Sequence, residues 1–288
     1  MTNQTNIHGD QIYGDKVGGD KIAGDKNIYN IHGEPPKFPL DNLPPRNPNF
    51  VGRTELLTAI RDTFGQGDAS VAITQAIAGL GGVGKTQLAL AYAHRHKAAY
   101  DLIWQLPANE PAALDDALRR LGAALRLPVQ TADAPTARQL VLSWLNGGHQ
   151  RWLLLYDNVD QMTQRDLRPY LPGGGHVLIT SRQPQWQQAA VLSVDVFTPT
   201  EAEAFWQQRL ADGDAPAGPQ TAADRATLAQ ELGYLPLALE HAAAYMTTRG
   251  KSAAAYWRLF QERRQALWAR TPPPDDYHAT ITTTWEMA

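Results

Sequence analysis

A chain of 288 residues is long enough for one large or two modest domains, and a hydrophobic share of 43% supports a core. The net charge of -3 gives no electrostatic pull toward nucleic acid, and the lack of cysteine excludes disulfides and thiolate metal sites. The polar N-terminus carries no secretory signal and no apolar stretch reaches the length of a membrane span, so the chain reads as soluble, cytoplasmic and without a membrane partner.

Residues 1–33 are repetitive. Gly9-Asp10, Gly14-Asp15, Gly19-Asp20 and Gly24-Asp25 recur every five residues, and Ile7, Ile12, Val17 and Ile22 keep the same period. An odd period sends successive apolar side chains to opposite faces of a flat strand. It suits short extended pieces joined at Gly-Asp corners, as in a β-solenoid or an amyloid-like stacked fibril. One copy is too short to bury its own apolar row. Two readings stay open: a low-complexity tail without fixed structure, or a segment that forms β-structure when copies from several chains stack. Residues 34–48 are proline-rich and read as an extended linker.

From residue 49 to 197, strands and helices alternate. The apolar run Val71 to Ala78 reads as a buried strand, and Gln87 to His94 has a helical composition. Between them lies Gly-Leu-Gly-Gly-Val-Gly-Lys-Thr, residues 79–86, which matches the phosphate-binding pattern G-x-x-x-x-G-K-[ST] in the strand–loop–helix context it requires. The backbone of Gly79, Gly81, Gly82, Val83 and Gly84 is expected to cradle phosphate oxygens, with Gln87 in the first turn of the helix behind it. Lys85 is expected to reach the β- and γ-phosphates, and the Thr86 hydroxyl to ligate Mg²⁺.

Further strands are expected at Tyr100 to Leu106, Trp152 to Tyr156, His176 to Thr180 and Ala190 to Val196, with helices at Ala112 to Leu125 and Thr136 to Leu145. Apolar strands alternating with helices imply an α/β fold, a parallel P-loop NTPase sheet with helices on both faces. Asp157 ends its strand at the edge where open α/β sheets bind ligands, the place for a carboxylate that holds Mg²⁺ through water. The plain alternative is a carboxylate that closes a turn. Asn158 stands where a second acid would act as base, and Asp160 is nearby but displaced. Arg182, closing Thr180-Ser181-Arg182, suits a γ-phosphate through its planar fork. Its alternative is an arginine in a surface loop.

After Thr198 the strands stop. Helices are expected at Thr200 to Leu210, Ala222 to Leu232, Pro236 to Met246 and Ala253 to Trp268, a small all-α subdomain over residues 198–270. Residues 271–288 read as a linker and the start of a further domain.

Five segments occur in order: Phe50-Val-Gly-Arg-Thr-Glu55, the phosphate loop, Leu154 to Asp160, Val177 to Arg182, and Leu232-Gly-Tyr-Leu-Pro-Leu-Ala-Leu239. Together they resemble the NB-ARC branch of the STAND ATPases, the switch module of NOD-like and plant resistance receptors, over roughly residues 49–288. The resemblance implies bound ATP or ADP with Mg²⁺ and slow, Mg-dependent ATPase chemistry carried by Lys85, Asp157 and Arg182. It implies Val51 and Arg53 against the adenine, Pro236 on the nucleotide and Arg182 sensing the γ-phosphate. It also implies self-association on activation, a downstream effector or prion-like partner engaged through residues 1–33, and a setting such as bacterial defence. Asn158 departs from the usual second acid. The winged-helix domain and the tetratricopeptide repeats that commonly follow are not in this chain, although Ala279 to Trp285 looks like the lead-in to the former. A constitutive ATPase and a STAND-type transcription regulator are the alternatives. Neither a basic stripe nor a helix-turn-helix pattern marks a direct nucleic-acid partner.

Overall fold

The computed structural model describes residues 36–67, 70–75, 81–148, 150–187, 189–210 and 222–270. The repeat of residues 1–33, Gly79 in the phosphate loop and the segment 271–288 lie outside them. In chain order the elements are β1 (Leu40–Asp41), α1 (Thr54–Gly65), β2 (Ser70–Gln75), α2 (Lys85–Arg95), β3 (Leu102–Pro107), α3 (Pro111–Ala124), α4 (Ala134–Asn146), β4 (Trp152–Asp157), α5 (Gln164–Leu167), β5 (His176–Thr180) and β6 (Ala190–Val194). Four helices follow without a strand: α6 (Pro199–Arg209), α7 (Ala222–Glu231), α8 (Pro236–Arg249) and α9 (Ala253–Arg270).

The strands form one sheet in the order β1-β3-β4-β5-β2-β6, and every neighbouring pair is parallel. The apolar runs seen in the sequence follow from this. A parallel strand covered on both faces has no polar side, so Trp152, Leu153, Leu154, Leu155 and Tyr156 of β4 are all buried. Each such leucine contributes about 1.5–3 kcal/mol through burial, and Leu154→Ala is expected to cost about 2–5 kcal/mol because it also opens a cavity.

The edge strand β1 lies inside the proline-rich stretch read as linker. Leu40 and Asp41 pair with Leu102 and Ile103. The Asn42 side chain then imitates a strand: its Nδ2 donates to the Gln105 carbonyl at 2.9 Å and its Oδ1 accepts from the Gln105 N–H at 2.7 Å. Two residues carry no periodicity, so composition alone shows only the prolines around them.

Capping fixes where several helices begin. Asp133 accepts a hydrogen bond from the Thr136 N–H at the start of α4. Thr198 and Glu201 form a reciprocal capping box at the start of α6, with Pro199 in the first turn. Gly250, left-handed at φ 58, ends α8. The helical region shares its core with the sheet: Leu57, Leu88 and Val194 belong to the same buried cluster as Phe205, Trp206, Leu239, Met246 and Phe260. Among the described residues no helix is long and apolar enough to cross a membrane.

Candidate nucleotide site

The site forms where β2, β4 and β5 end. The topology separates β2, which leads into the phosphate loop, from β4 by one strand, β5. Asp157 at the end of β4 and Thr180 at the end of β5 therefore emerge side by side, their strands in register at Tyr156 and Ile179. Gly82 and Gly84 are left-handed, at φ 81 and 94, which brings the chain round to open α2 at Lys85.

Asp157 is the hub. Its Oδ1 accepts from the Thr86 and Thr180 hydroxyls, each at 2.6 Å, and its Oδ2 accepts from Gln105 Nε2 at 3.2 Å. The structure thus brings Thr86 and Asp157 together, as the sequence anticipated. Gln105 escaped that reading. The only trace it leaves is one amide in the otherwise apolar strand Leu102–Pro107.

Asn158 turns left-handed at φ 65. Its N–H is held by Thr180 Oγ1 at 2.8 Å, the Val159 N–H by the Thr180 carbonyl at 2.9 Å, and the Asp160 N–H returns to the Asn158 carbonyl at 2.9 Å. That tight turn brings Asp160 across to β5. Its Oδ1 accepts the Arg182 N–H at 2.6 Å, and its Oδ2 lies 3.0 Å from Arg182 Nε. Burial lowers the pKa of Lys85 from its usual value; Asp160 opposes this, Arg182 adds to it, and Asp157 opposes it more weakly.

The Val51-Gly52-Arg53 segment meets the helical region. Arg53 is left-handed at φ 57, its N–H donates to Glu201 Oε1 at 3.1 Å, and its Nη2 donates to the Asp195 carbonyl at 2.7 Å. Its guanidinium lies 4.8 Å over the Phe197 ring. With 8% of the side chain exposed, it is committed to the joint between β6 and α6. Gly52, at φ +65, leaves no room for a Cβ, which would fall 2.7 Å from Glu201 Oε1. The Arg53 guanidinium, from which an adenine contact was expected, is thus engaged by Asp195, Glu201 and Phe197. Val51 is half-buried against the core.

Beside the phosphate loop, a cleft of about 410 Å³ runs between residues 44–52 and α2. Phe50, Leu57 and Leu90 supply apolar walls, and Asn47 and Gln87 supply polar ones. The two are joined to each other, Asn47 Nδ2 donating to Gln87 Oε1 at 2.9 Å. A flat base with a polar edge suits such a mixture. On the other side the first turn of α8 sits on the loop: the Leu237 N–H donates to the Gly82 carbonyl at 3.2 Å. Pro236, half-buried, precedes it at the first helical position.

A hydroxyl and a carboxylate already within hydrogen-bond reach of each other are hard oxygen donors of the kind Mg²⁺ takes. No group of three or more His, Cys, Asp or Glu able to hold a metal occurs among the described residues. Mg²⁺ usually keeps several waters and needs only one or two carboxylates beside phosphate oxygens. Thr86 and Asp157 thus fit Mg²⁺.

The fold and the loop are those of a P-loop NTPase. No family model matches the chain. It is similar to the regulatory protein AfsR of Streptomyces griseus, 34% identical over 220 residues, which is 72% of this chain and 22% of that protein. It is also similar to a nucleotide-binding leucine-rich repeat (NLR)-like protein of Hyaloscypha variabilis, 28% identical over 75% of this chain and 24% of that one. The chain thus spans less than a quarter of the length of these relatives. Among solved structures, a Walker-type ATPase of Pyrococcus abyssi superposes with a TM-score of 0.50 at 11% identity, covering 80% of this chain and 77% of that one. At that identity the likeness speaks for the fold alone.

Proposed function

We propose that the chain is the ATP/ADP-binding switch of a STAND-type signalling protein of the NB-ARC kind. ADP held between the sheet and α8 keeps the unit closed. Exchange for ATP releases α8 and exposes surfaces for self-association. Residues 1–33 are then gathered and engage a downstream effector or prion-like partner, in the cytoplasm and in a defence role. The observation that carries this reading is the bond from the Leu237 N–H to the Gly82 carbonyl, because the helical region rests on the phosphate loop itself. Whatever fills the loop is felt by α8 without any intermediary.

In this reading Lys85 neutralises the β- and γ-phosphates, the loop N–H groups and the N-terminus of α2 orient them, and Arg182 meets the terminal phosphate. Mg²⁺ held by Thr86 and Asp157 would supply charge neutralisation to the phosphate oxygens. An amide at position 158 offers no proton acceptor of carboxylate strength, which favours slow turnover and hence a switch over a constitutive ATPase. The similarity to a Streptomyces regulatory protein is compatible with a second reading, in which the chain is part of a STAND-type transcription regulator. Its DNA-binding part would have to lie in another domain.

Titration calorimetry with ADP and ATP, with and without Mg²⁺, tests the binding reading. Wild type is expected to bind both, and no heat with either nucleotide would sink it. Rapid turnover without any stimulus would favour the constitutive ATPase.

A further inference from the structure

Arg182, the arginine expected to meet the terminal phosphate, is already engaged. Its N–H and its Nε address the two oxygens of one carboxylate, that of Asp160, at 2.6 and 3.0 Å. The arrangement is built rather than incidental. The left-handed Asn158 and the return of the Asp160 N–H onto the Asn158 carbonyl fold the chain back toward β5. The Ser181 hydroxyl donates to the Val159 carbonyl at 2.7 Å and ties the same turn to the same strand end. Asp160 is largely covered, with 15% of its side chain exposed, whereas the Arg182 side chain is 61% exposed. The carboxylate is therefore the fixed member and the guanidinium the one free to swing. Among the described residues, no hydrogen bond engages the two terminal nitrogens of Arg182. Asp160 is also the strongest of the charges that act on Lys85, ahead of Asp157.

Resting on the nucleotide-site reading above, we propose that Asp160 is a specificity-determining residue that sets the preference between nucleoside diphosphate and triphosphate. With a diphosphate bound, Arg182 keeps its carboxylate. A terminal phosphate must draw the guanidinium away from Asp160 and stand near that same negative charge. Asp160 thus opposes the triphosphate twice, as a competitor for Arg182 and as a like charge, and opposes the diphosphate hardly at all. An ion pair this exposed holds by less than about a tenfold factor, so a phosphate dianion can displace it.

The test is titration calorimetry of the whole chain with ADP and with ATP, in Mg²⁺. The proteins are wild type, Asp160→Asn, Arg182→Gln and the double variant. Asparagine can still accept the Arg182 N–H, so the turn keeps its backbone bond. Asp160→Asn is expected to raise the ATP-to-ADP affinity ratio about 3- to 10-fold, with ADP affinity little changed. The Arg182→Gln background should shrink that gain, because part of it comes from a freed arginine. Should Asp160→Asn bind both nucleotides with the wild-type ratio, the proposal fails while the nucleotide-site reading stands. Loss of ADP affinity together with a lowered melting temperature would make Asp160 a structural residue and also overturn it. If wild type binds neither nucleotide, both readings fall together.

Discussion

Asp157 and Lys85 sit on the same loop mouth but have different partners, so removing each should damage the protein differently. Asp157 satisfies Thr86, Thr180 and Gln105. Asp157→Ala strands three donors in a half-covered site, at a cost of about 1–3 kcal/mol for a buried group left unpaired. A thermal melt should show this as a drop of several degrees, at about 2–4 °C per kcal/mol for a domain of this size class. Calorimetry should show loss of the Mg²⁺-dependent part of nucleotide affinity only. Lys85→Ala removes a half-buried ammonium whose charged form burial disfavours. Its melting temperature should stay near wild type, while ADP and ATP both bind about 10- to 100-fold more weakly, the value of a charge-assisted hydrogen bond. If Lys85→Ala binds nucleotide like wild type, the phosphate-loop assignment is wrong.

Elements carry the next level of argument, because two contacts there join parts far apart in sequence. A Cβ at Gly82 would lie 2.7 Å from the Leu237 Cβ, at a φ of +81 that side chains rarely adopt. Gly82→Ala should therefore push α8 off the phosphate loop. Its expected signature is faster proteolysis within residues 222–270 together with weaker ADP binding, whereas an unchanged digestion pattern would argue that α8 does not report on the loop. At the opposite end of the sheet, Phe64 of α1 stacks on His176 of β5 with centroids 4.1 Å apart, and the Tyr100 hydroxyl lies 2.8 Å from His176 Nδ1. Burial lowers the pKa of His176 in the fold. The unfolded chain then binds the proton more readily, so this stability is complete above about pH 6.5 and is lost as pH falls below it toward the depressed value. His96 is lowered for the same reason and adds to the slope. Melting temperature should fall between pH 7 and 5, and His176→Phe, which keeps the stack, should flatten that fall. The strands carrying these contacts were legible because doubly covered parallel strands must be apolar: His176 to Thr180 was bounded correctly, and Asp157 was placed at its strand end. The joints between elements were not legible. Glu201 closes the capping box of α6, and nothing in the sequence shows that it also receives the Arg53 N–H 148 residues away. Gln105 and Leu237 act through positions that only the sheet register and the seating of α8 create.

At the scale of the whole molecule, the proposed switch would have to convert one bound phosphate into a signal, and the repeat of residues 1–33 is the segment proposed to carry it. Four aspartates and three lysines leave that segment a net charge of only -1, so charge repulsion is a small barrier to self-association. What stops a single copy is ordering entropy, at about 1–2 kcal/mol per residue, set against one short apolar row. Gathering copies on an oligomer raises their local concentration to the millimolar range and removes much of the association cost. Exact in-register stacking would set Asp on Asp and Lys on Lys. Pentads that advance from rung to rung would instead set opposite charges side by side and bury Ile7, Ile12, Val17 and Ile22 together. The full chain loaded with ATP is therefore expected to form β-rich assemblies visible by circular dichroism and electron microscopy. Ile12→Asp with Ile22→Asp should abolish them, and deletion of residues 1–33 should do the same while leaving ADP and ATP affinities unchanged. Assemblies that persist in the doubly substituted chain would mean that another surface drives association. A segment that stays coil-like even when fused to an oligomeric carrier would make it a tether, and the signal would then have to leave through a surface uncovered when α8 moves.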